Sequence, residues 1–366
     1  MDQERIAILA LHFIPGVGDY LVRQLISYGG SATDIFKLPK AKLLKIPGIG
    51  EVTAKSIQEG NFFDKAEAEL MKAEKDDTEI IFFIDKKYPE RLRAIDDSPS
   101  MIYVKGNVNL NQPKILSIVG TRQATSYGKK MVEQIIDELI PHQPLIVSGL
   151  AYGIDIHSHK AALKNGLATL GVLGSGIDII YPSAHRDTAM KMVNQGGLLT
   201  ENIYGTKPDA HNFPSRNRII AGLCDAVIVV EAAEKGGALI TAEIANSYSR
   251  DVFAVPGNLK QTYSEGCNKL IKINKASLYT SVKDLEYLLN WSTDKADVKS
   301  KSLDMSALKD EEKLIVKFLS DKQVPAQIDE LNRQTNLPAS ILASLLLELE
   351  FKNLIESLPG KRYKLR

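Results

Sequence analysis

Only two cysteines, Cys224 and Cys267, occur in 366 residues, far apart in the chain. No disulfide framework or zinc pattern follows from them, so both are expected as small core residues, and the expected compartment is the cytoplasm. Long apolar runs are missing: none reaches the ~18 residues of a membrane span. The first ten residues lack the basic start, apolar core and cleavage site of a secretory signal. Excess charge is missing as well. The chain holds 46 Lys+Arg against 45 Asp+Glu, a net +1, which excludes a surface coated in positive charge; any nucleic-acid site has to be a local patch. There is no HExxH, no nucleophile elbow, no Walker A lysine and no paired-carboxylate site. No catalytic residue, metal or cofactor is therefore expected. What remains is 44% hydrophobic and 25% charged, the mix of a soluble globular protein of two or three domains.

Three regions separate by pattern. Residues 1–76 contain two similar pieces, Leu11-His12-Phe13-Ile14-Pro15-Gly16-Val17-Gly18 and Leu43-Leu44-Lys45-Ile46-Pro47-Gly48-Ile49-Gly50. Each reads as helix, tight glycine turn, helix, with the proline ending the first helix. Residues 77–291 alternate short apolar strands (115–119, 145–148, 169–173, 226–230, 252–255) with amphipathic helices (127–140, 154–164, 216–223, 238–249). That alternation predicts crossover connections and a mainly parallel sheet covered on both faces. Residues 292–304 are polar and rich in Lys, Asp and Ser, a linker. Residues 305–366 read as three helices and a terminal hairpin, the winged-helix pattern.

Five glycine-rich stretches carry the chemistry. In Val119-Gly120-Thr121-Arg122-Gln123-Ala124-Thr125-Ser126 a strand closes and a helix opens, so unpaired N–H groups and the helix dipole favour phosphate. Gly120 would permit close backbone approach, Thr121 and Thr125 would donate hydroxyls, and Arg122 would clamp an anion; the plainer alternative is a helix cap. Ser148-Gly149-Leu150-Ala151-Tyr152-Gly153-Ile154-Asp155 is followed by His157 and His159, which point to different helix faces, so joint metal ligation is not expected. Asp155 and His157 are assigned to packing. Gly174-Ser175-Gly176-Ile177-Asp178 through Tyr181-Pro182 is the third turn. Such turns at successive strand ends line the edge where open α/β sheets bind ligands. In Phe213-Pro214-Ser215-Arg216-Asn217-Arg218, Pro214 suits a first helical turn, where the dipole disfavours two arginines unless an anion neutralises them. Phe213 would stack on a base; alternatively it is core and the arginines pair with acids. Gly236-Gly237-Ala238-Leu239-Ile240-Thr241-Ala242-Glu243, followed by Val255-Pro256-Gly257, is a phosphate-cradling or close-packing turn.

In this order the stretches, preceded by the hairpins, Tyr88-Pro89 and Leu92 and followed by Gly266, Asn268 and the winged helix, resemble the DprA (Smf) family over nearly the whole chain. The resemblance implies an α/β fold: an extended Rossmann-like core between an N-terminal helix-hairpin-helix (SAM-like) domain and a C-terminal winged helix. It also implies a homodimer that binds and protects single-stranded DNA and loads a RecA-type recombinase during natural transformation. Carried over by motif, the DNA contacts are Gly120, Thr121, Arg122, Thr125, Phe213, Arg216, Asn217 and Arg218, with Gly236 and Gly237 beside them. Two places depart from the family pattern: Gly236-Gly237-Ala238 stands where Ser-Gly precedes Leu-Ile-Thr, and Leu270-Ile271-Lys272-Ile273-Asn274-Lys275 where Gly-Ala follows Leu-Ile.

The flanking regions leave alternatives. The Pro-Gly hairpins suit duplex phosphates or simple folding turns. The winged-helix recognition helix, 339–351, holds Glu348 and Glu350 but no Lys or Arg, poor chemistry for reading bases; the basic residues gather in the wing at Lys361, Arg362, Lys364 and Arg366. A nucleotide-cleaving phosphoribohydrolase is the main alternative, although Leu239 and Ile240 replace the Gly and Thr of its Pro-Gly-Gly-x-Gly-Thr-x-x-Glu motif. A nucleotide-sensing transcription regulator is the other.

Overall fold

The computed structural model describes residues 2–291, 308–322, 326–335, 337–352, 354–358 and 362–365. The expected linker, 292–304, the start of the last domain and the wing residues Lys361 and Arg366 lie outside the described residues. The chain divides into two compact units, 1–293 and 294–366.

Nine strands build the sheet of the first unit: β1 Thr78–Phe82, β2 Met101–Lys105, β3 Ile115–Val119, β4 Leu145–Ser148, β5 Thr169–Val172, β6 Gly196–Thr200, β7 Ala226–Val229, β8 Asp251–Ala254 and β9 Ser277–Leu278. Their order is β1-β2-β6-β5-β4-β3-β7-β8-β9. From β6 to β9 every pairing is parallel, and β1 and β2 add an antiparallel edge. The expected parallel core is present, extended by that edge.

Strand β3 shows why the sheet is covered twice. All five of its residues are buried. Ile115 and Val119 join a cluster on one face with the helices Asn212–Leu223 and Gly237–Ser247. Leu116 and Ile118 join another on the opposite face with Ser126–Leu139 and Ile154–Lys164. This is the period-2 alternation of a strand. Ser117, the one polar residue, donates its hydroxyl to the Ile220 carbonyl at 2.8 Å, which removes the cost of burying it.

The chain steps from β3 through β4 and β5 to β6 in one direction, then returns to place β7 on the other side of β3. Loops leaving β3 and β7 therefore diverge, and the divergence opens a crevice at their carboxyl ends. The N-terminal region packs into the same unit as six helices. Its core, with Leu9, Leu11, Val22 and Leu25, is continuous with Phe82 and Tyr103 of the sheet. Both expected hairpins form: Gly16 and Gly48 adopt φ of 81° and 84°, where a side chain would be strained.

The second unit holds the helices Asp310–Lys322, Ile328–Thr335 and Ala339–Phe351 and a three-stranded sheet, the expected winged helix. Leu342, Leu345, Leu346 and Leu349 bury one face of its last helix. Among the described residues no helix is long and apolar enough to cross a membrane.

Candidate nucleic-acid interface

A cleft of about 650 Å³ opens at the β3/β7 divergence. Gly120, Thr121 and Arg122 line one side and Gly236, Gly237 and Thr241 the other, with Asp155, Phe213, Arg216 and Asn217 between them. The structure thus gathers eight of the ten expected site residues; Thr125 and Arg218 stand outside the lining.

The first turn differs from its expected form. The N-terminus of the helix Ser126–Leu139 already holds an anion, the protein's own Glu231. Thr125 donates its amide to that carboxylate at 2.9 Å and its hydroxyl at 2.5 Å, and the Thr121 amide donates to the Glu231 carbonyl at 2.7 Å. The dipole of this helix is therefore answered internally. Gly120 also serves packing: a Cβ there would lie 2.4 Å from Ile154. What the turn presents outward is Arg122, exposed, with its guanidinium 5.7 Å from the centre of the Phe213 ring, a cation–π distance.

Phe213, Arg216 and Asn217 stand at i, i+3 and i+4 on the helix Asn212–Leu223 and share a face. Phe213 is half-buried. Its ring lies over Gly174, where a Cβ would come within 3.0 Å, and 5.8 Å from the ring of Tyr181. Tyr181 and Tyr152, both about half exposed at 51%, extend this aromatic ledge. Neither was among the expected contacts, although Tyr181 closes the third glycine-rich stretch.

Arg216 is 6% exposed. It donates to the Val172 carbonyl at the end of β5 and shares its burial with Asp155. A Cβ on Gly149 would fall 2.7 Å from both terminal nitrogens of Arg216 and 2.4 Å from the Asp155 carboxylate, so Gly149 makes room for the pair. Burial lowers the pKa of Arg216, with Asp155 opposing the shift. Burial raises that of Asp155, with Arg216 opposing. The Nε of Arg216 has no hydrogen-bond partner.

Arg218, two residues on, turns away. Its Nη2 donates to Glu201 and stands 3.4 Å from Asp19. The alternative that these arginines pair with acids thus describes Arg218, through Nη2 while its buried Nη1 has no hydrogen-bond partner, better than Arg216.

The other helix start is open. Gly237–Ser247 has no acid in its first turn and no side-chain cap. Gly236 and Gly237 are exposed, and a Cβ on either would meet nothing within 4 Å. Its free amides and dipole face the cleft. The acids elsewhere are engaged separately: Asp178 accepts from the Gly205 amide at 3.0 Å, and Glu243 pairs with Lys275 at 2.5 Å, away from the cleft. Among the described residues no group of three or more His, Cys, Asp or Glu is placed to hold a metal.

Comparison with known proteins completes the picture. The family model of DNA recombination-mediator protein A matches residues 79–290, that of the DprA winged helix domain 301–361, and that of a SAM-like helix-hairpin-helix tandem 8–60. Protein Smf of Synechocystis is 31% identical across the whole of both chains. DNA processing protein DprA of Streptococcus pneumoniae is 43% identical over 55% of this chain and 71% of its own length. The X-ray structure of DprA from that organism superposes with a TM-score of 0.67 at 33% identity, over 79% of this chain and 98% of that one. DNA processing protein A from Helicobacter pylori, in a structure described for its unique single-stranded DNA binding mode, superposes at 0.53 with 27% identity, over 58% of this chain and 95% of that one. Matched over its core and both flanking regions, the chain belongs to the DNA recombination-mediator protein A family, DprA/Smf.

Proposed function

We propose that the cleft holds single-stranded DNA. The observation that carries this reading is the pairing, across one crevice, of an open helix N-terminus at Gly236-Gly237 with an aromatic ledge of Phe213 and Tyr181 capped by Arg122. The first suits backbone phosphate. The second suits an unstacked base, whose face any aromatic ring accepts. In duplex DNA the bases are already stacked and the ledge would have nothing to receive. The Gly120, Thr121 and Thr125 turn acts here as a scaffold that presents Arg122, with Thr121 at the cleft wall. The H. pylori relative, whose single-stranded DNA binding mode is the subject of its structure, supports the reading.

The same reading extends to the role implied by family membership. The protein works as a homodimer in the cytoplasm, protects incoming strands during natural transformation and passes them to a RecA-type recombinase, without cutting them. The phosphoribohydrolase alternative loses ground at Glu243, which would be its motif acid and which pairs with Lys275 outside the cleft. Anisotropy titration of labelled single strands and duplexes of equal length tests the proposal. Single strands are expected to bind more tightly, with log K falling against log salt by about 0.7 per phosphate neutralised; tighter duplex binding would overturn it.

A further inference from the structure

We infer that Arg218 is a positioning residue through which the first helical hairpin holds the helix 212–223, and with it Phe213 and Arg216, in register with the cleft. The inference rests on the reading of that cleft as a strand-binding site.

The two hairpins of the N-terminal region are alike in sequence and unlike in placement. The first hands its helix, Asp19–Gly29, to the sheet. Asp19 accepts from the amide and the hydroxyl of Ser100, each at 2.7 Å, and its second oxygen faces Arg218 at 3.4 Å. One turn along, Arg23 donates to the Ser98 hydroxyl at 2.7 Å and to the Asp96 carbonyl. The second hairpin makes no such docking: Glu51, at the matching position, pairs with Lys40 of its own region. The carboxylate at the start of the first hairpin's helix is thus turned inward, onto the loop 96–100 and the cleft helix.

That loop is also tied to the opposite wall. Tyr248, which caps the far end of the helix beginning at Gly237, donates to Asp97 at 2.5 Å. The hairpin therefore meets both helices that bound the cleft, one through Arg218 and one through the 96–100 loop. Among the described residues Arg218 is the only cation in contact with both Asp19 and Glu201, and all three side chains are 20% exposed or less. Phe213, Arg216 and Arg218 lie within two turns of one rigid helix. A slip at Arg218 moves the other two, and displacement of a positioned group by even an ångström is costly to recognition.

Full-length protein carrying Asp19→Asn, Arg218→Met or Arg218→Lys, with Arg122→Ala as control, separates this from a direct DNA contact. Asp19→Asn removes a negative charge, which by charge alone would tighten DNA binding. Positioning predicts the reverse, a loss of about fivefold or more, the usual scale of coupling between sites. Arg218→Met should lose a similar factor with the salt slope unchanged, and Arg218→Lys should recover part of it. The double variant Asp19→Asn/Arg218→Met should be no weaker than its worse parent, since both act through one link. Hydrogen exchange without DNA should rise in 212–218 for Asp19→Asn.

Unchanged or tighter binding by Asp19→Asn overturns the inference. So does a salt slope reduced by about 0.7 in Arg218→Met, which would make Arg218 a phosphate contact, and so does unaltered exchange. Failure of the cleft reading looks different: the wild type would not bind single strands, or Arg122→Ala would bind as well as wild type. Should Arg218→Met fail to fold, Asp19→Asn and Arg218→Lys still decide the matter.

Discussion

Glu231 grips Thr125 twice, through the backbone amide and the hydroxyl, and so fills a helix N-terminus with the protein's own carboxylate. The grip explains Gly128, one turn into that helix, where a Cβ would lie 2.1 Å from Glu231 Oε2.

Gly128→Ala is therefore expected to destabilise the fold, although alanine is ordinarily the better helix former. Overpacking costs about 1–3 kcal/mol, and displacement of Glu231 would add the loss of the Thr125 tie. Urea melts of wild type and variant give the sign; a variant as stable as wild type would show that Glu231 has room to move.

Burial pushes the Glu201 carboxyl up to about 7, against the pull of Arg218 and helped by Asp19 and Asp97. A carboxyl raised in the folded state supports stability below its unfolded pKa, near the ordinary 4.5, and that support is lost as pH rises through the folded value. Glu201→Gln keeps the shape without the charge. Its stability relative to wild type should therefore improve between pH 4.5 and about 7 and level off above. Melts at pH 4.5, 6 and 8 check this; a difference that does not vary with pH would mean that Glu201 stays ionised.

Much of this was legible in the sequence. Strands such as 115–119 and 145–148 are short apolar runs with a single serine each, closed by a glycine turn, and their limits in the structure are the expected ones. Strand β6 is not among the expected strands; it begins with Gly196-Gly197, and glycine is depleted in strands. Both glycines are there for close contact: a Cβ on Gly196 would meet the Thr169 carbonyl at 2.1 Å and one on Gly197 the Lys105 carbonyl at 2.9 Å. Motif spacing located the cleft but not the direction of each side chain. Arg216 and Arg218 look equivalent in a list of residues, yet two positions along a helix turn them about 200° apart, and only the fold shows which one meets Asp19. Glu231 gave no local signal, because its partner lies in another crossover.

Arg122→Ala is expected to weaken single-strand binding by about 1.5–3 kcal/mol, the range for a charged hydrogen bond once a strand covers it. Arg362→Ala or Lys364→Ala should each cost less than about 1 kcal/mol. Lys364 is a partly exposed group paired with Glu356 at 3.1 Å, and solvated charges contribute little. Anisotropy on folded variants measures all three; an equal or larger loss in the wing would move the site to the winged helix.

Phe213→Ala should cost about 1–3 kcal/mol of affinity, the range for base–aromatic stacking, and by the same factor for oligonucleotides of different sequence. Phe213→Tyr should retain most of it. A loss confined to one base would point to hydrogen-bonded readout.

The last expectation is that the protein binds strands without cutting them. Nuclease chemistry most often gathers metals with carboxylates, and the three acids at the glycine-rich turns are each engaged elsewhere. Asp155 is buried beside Arg216, which opposes the rise in its pKa. Asp178 holds the Gly205 amide, and Glu243 faces Lys275. Of these only Asp155 reaches the cleft wall, and it is buried there with Oδ2 accepting from the Ala151 amide at 3.3 Å. Single-stranded DNA incubated with pure protein and magnesium or manganese should therefore stay intact on a denaturing gel. Asp155→Asn should lower stability, because it removes a buried negative charge that favours the ionised form of Arg216. Cleavage by the wild type that vanishes in Asp155→Asn while the fold survives would instead make this buried carboxylate part of an active site.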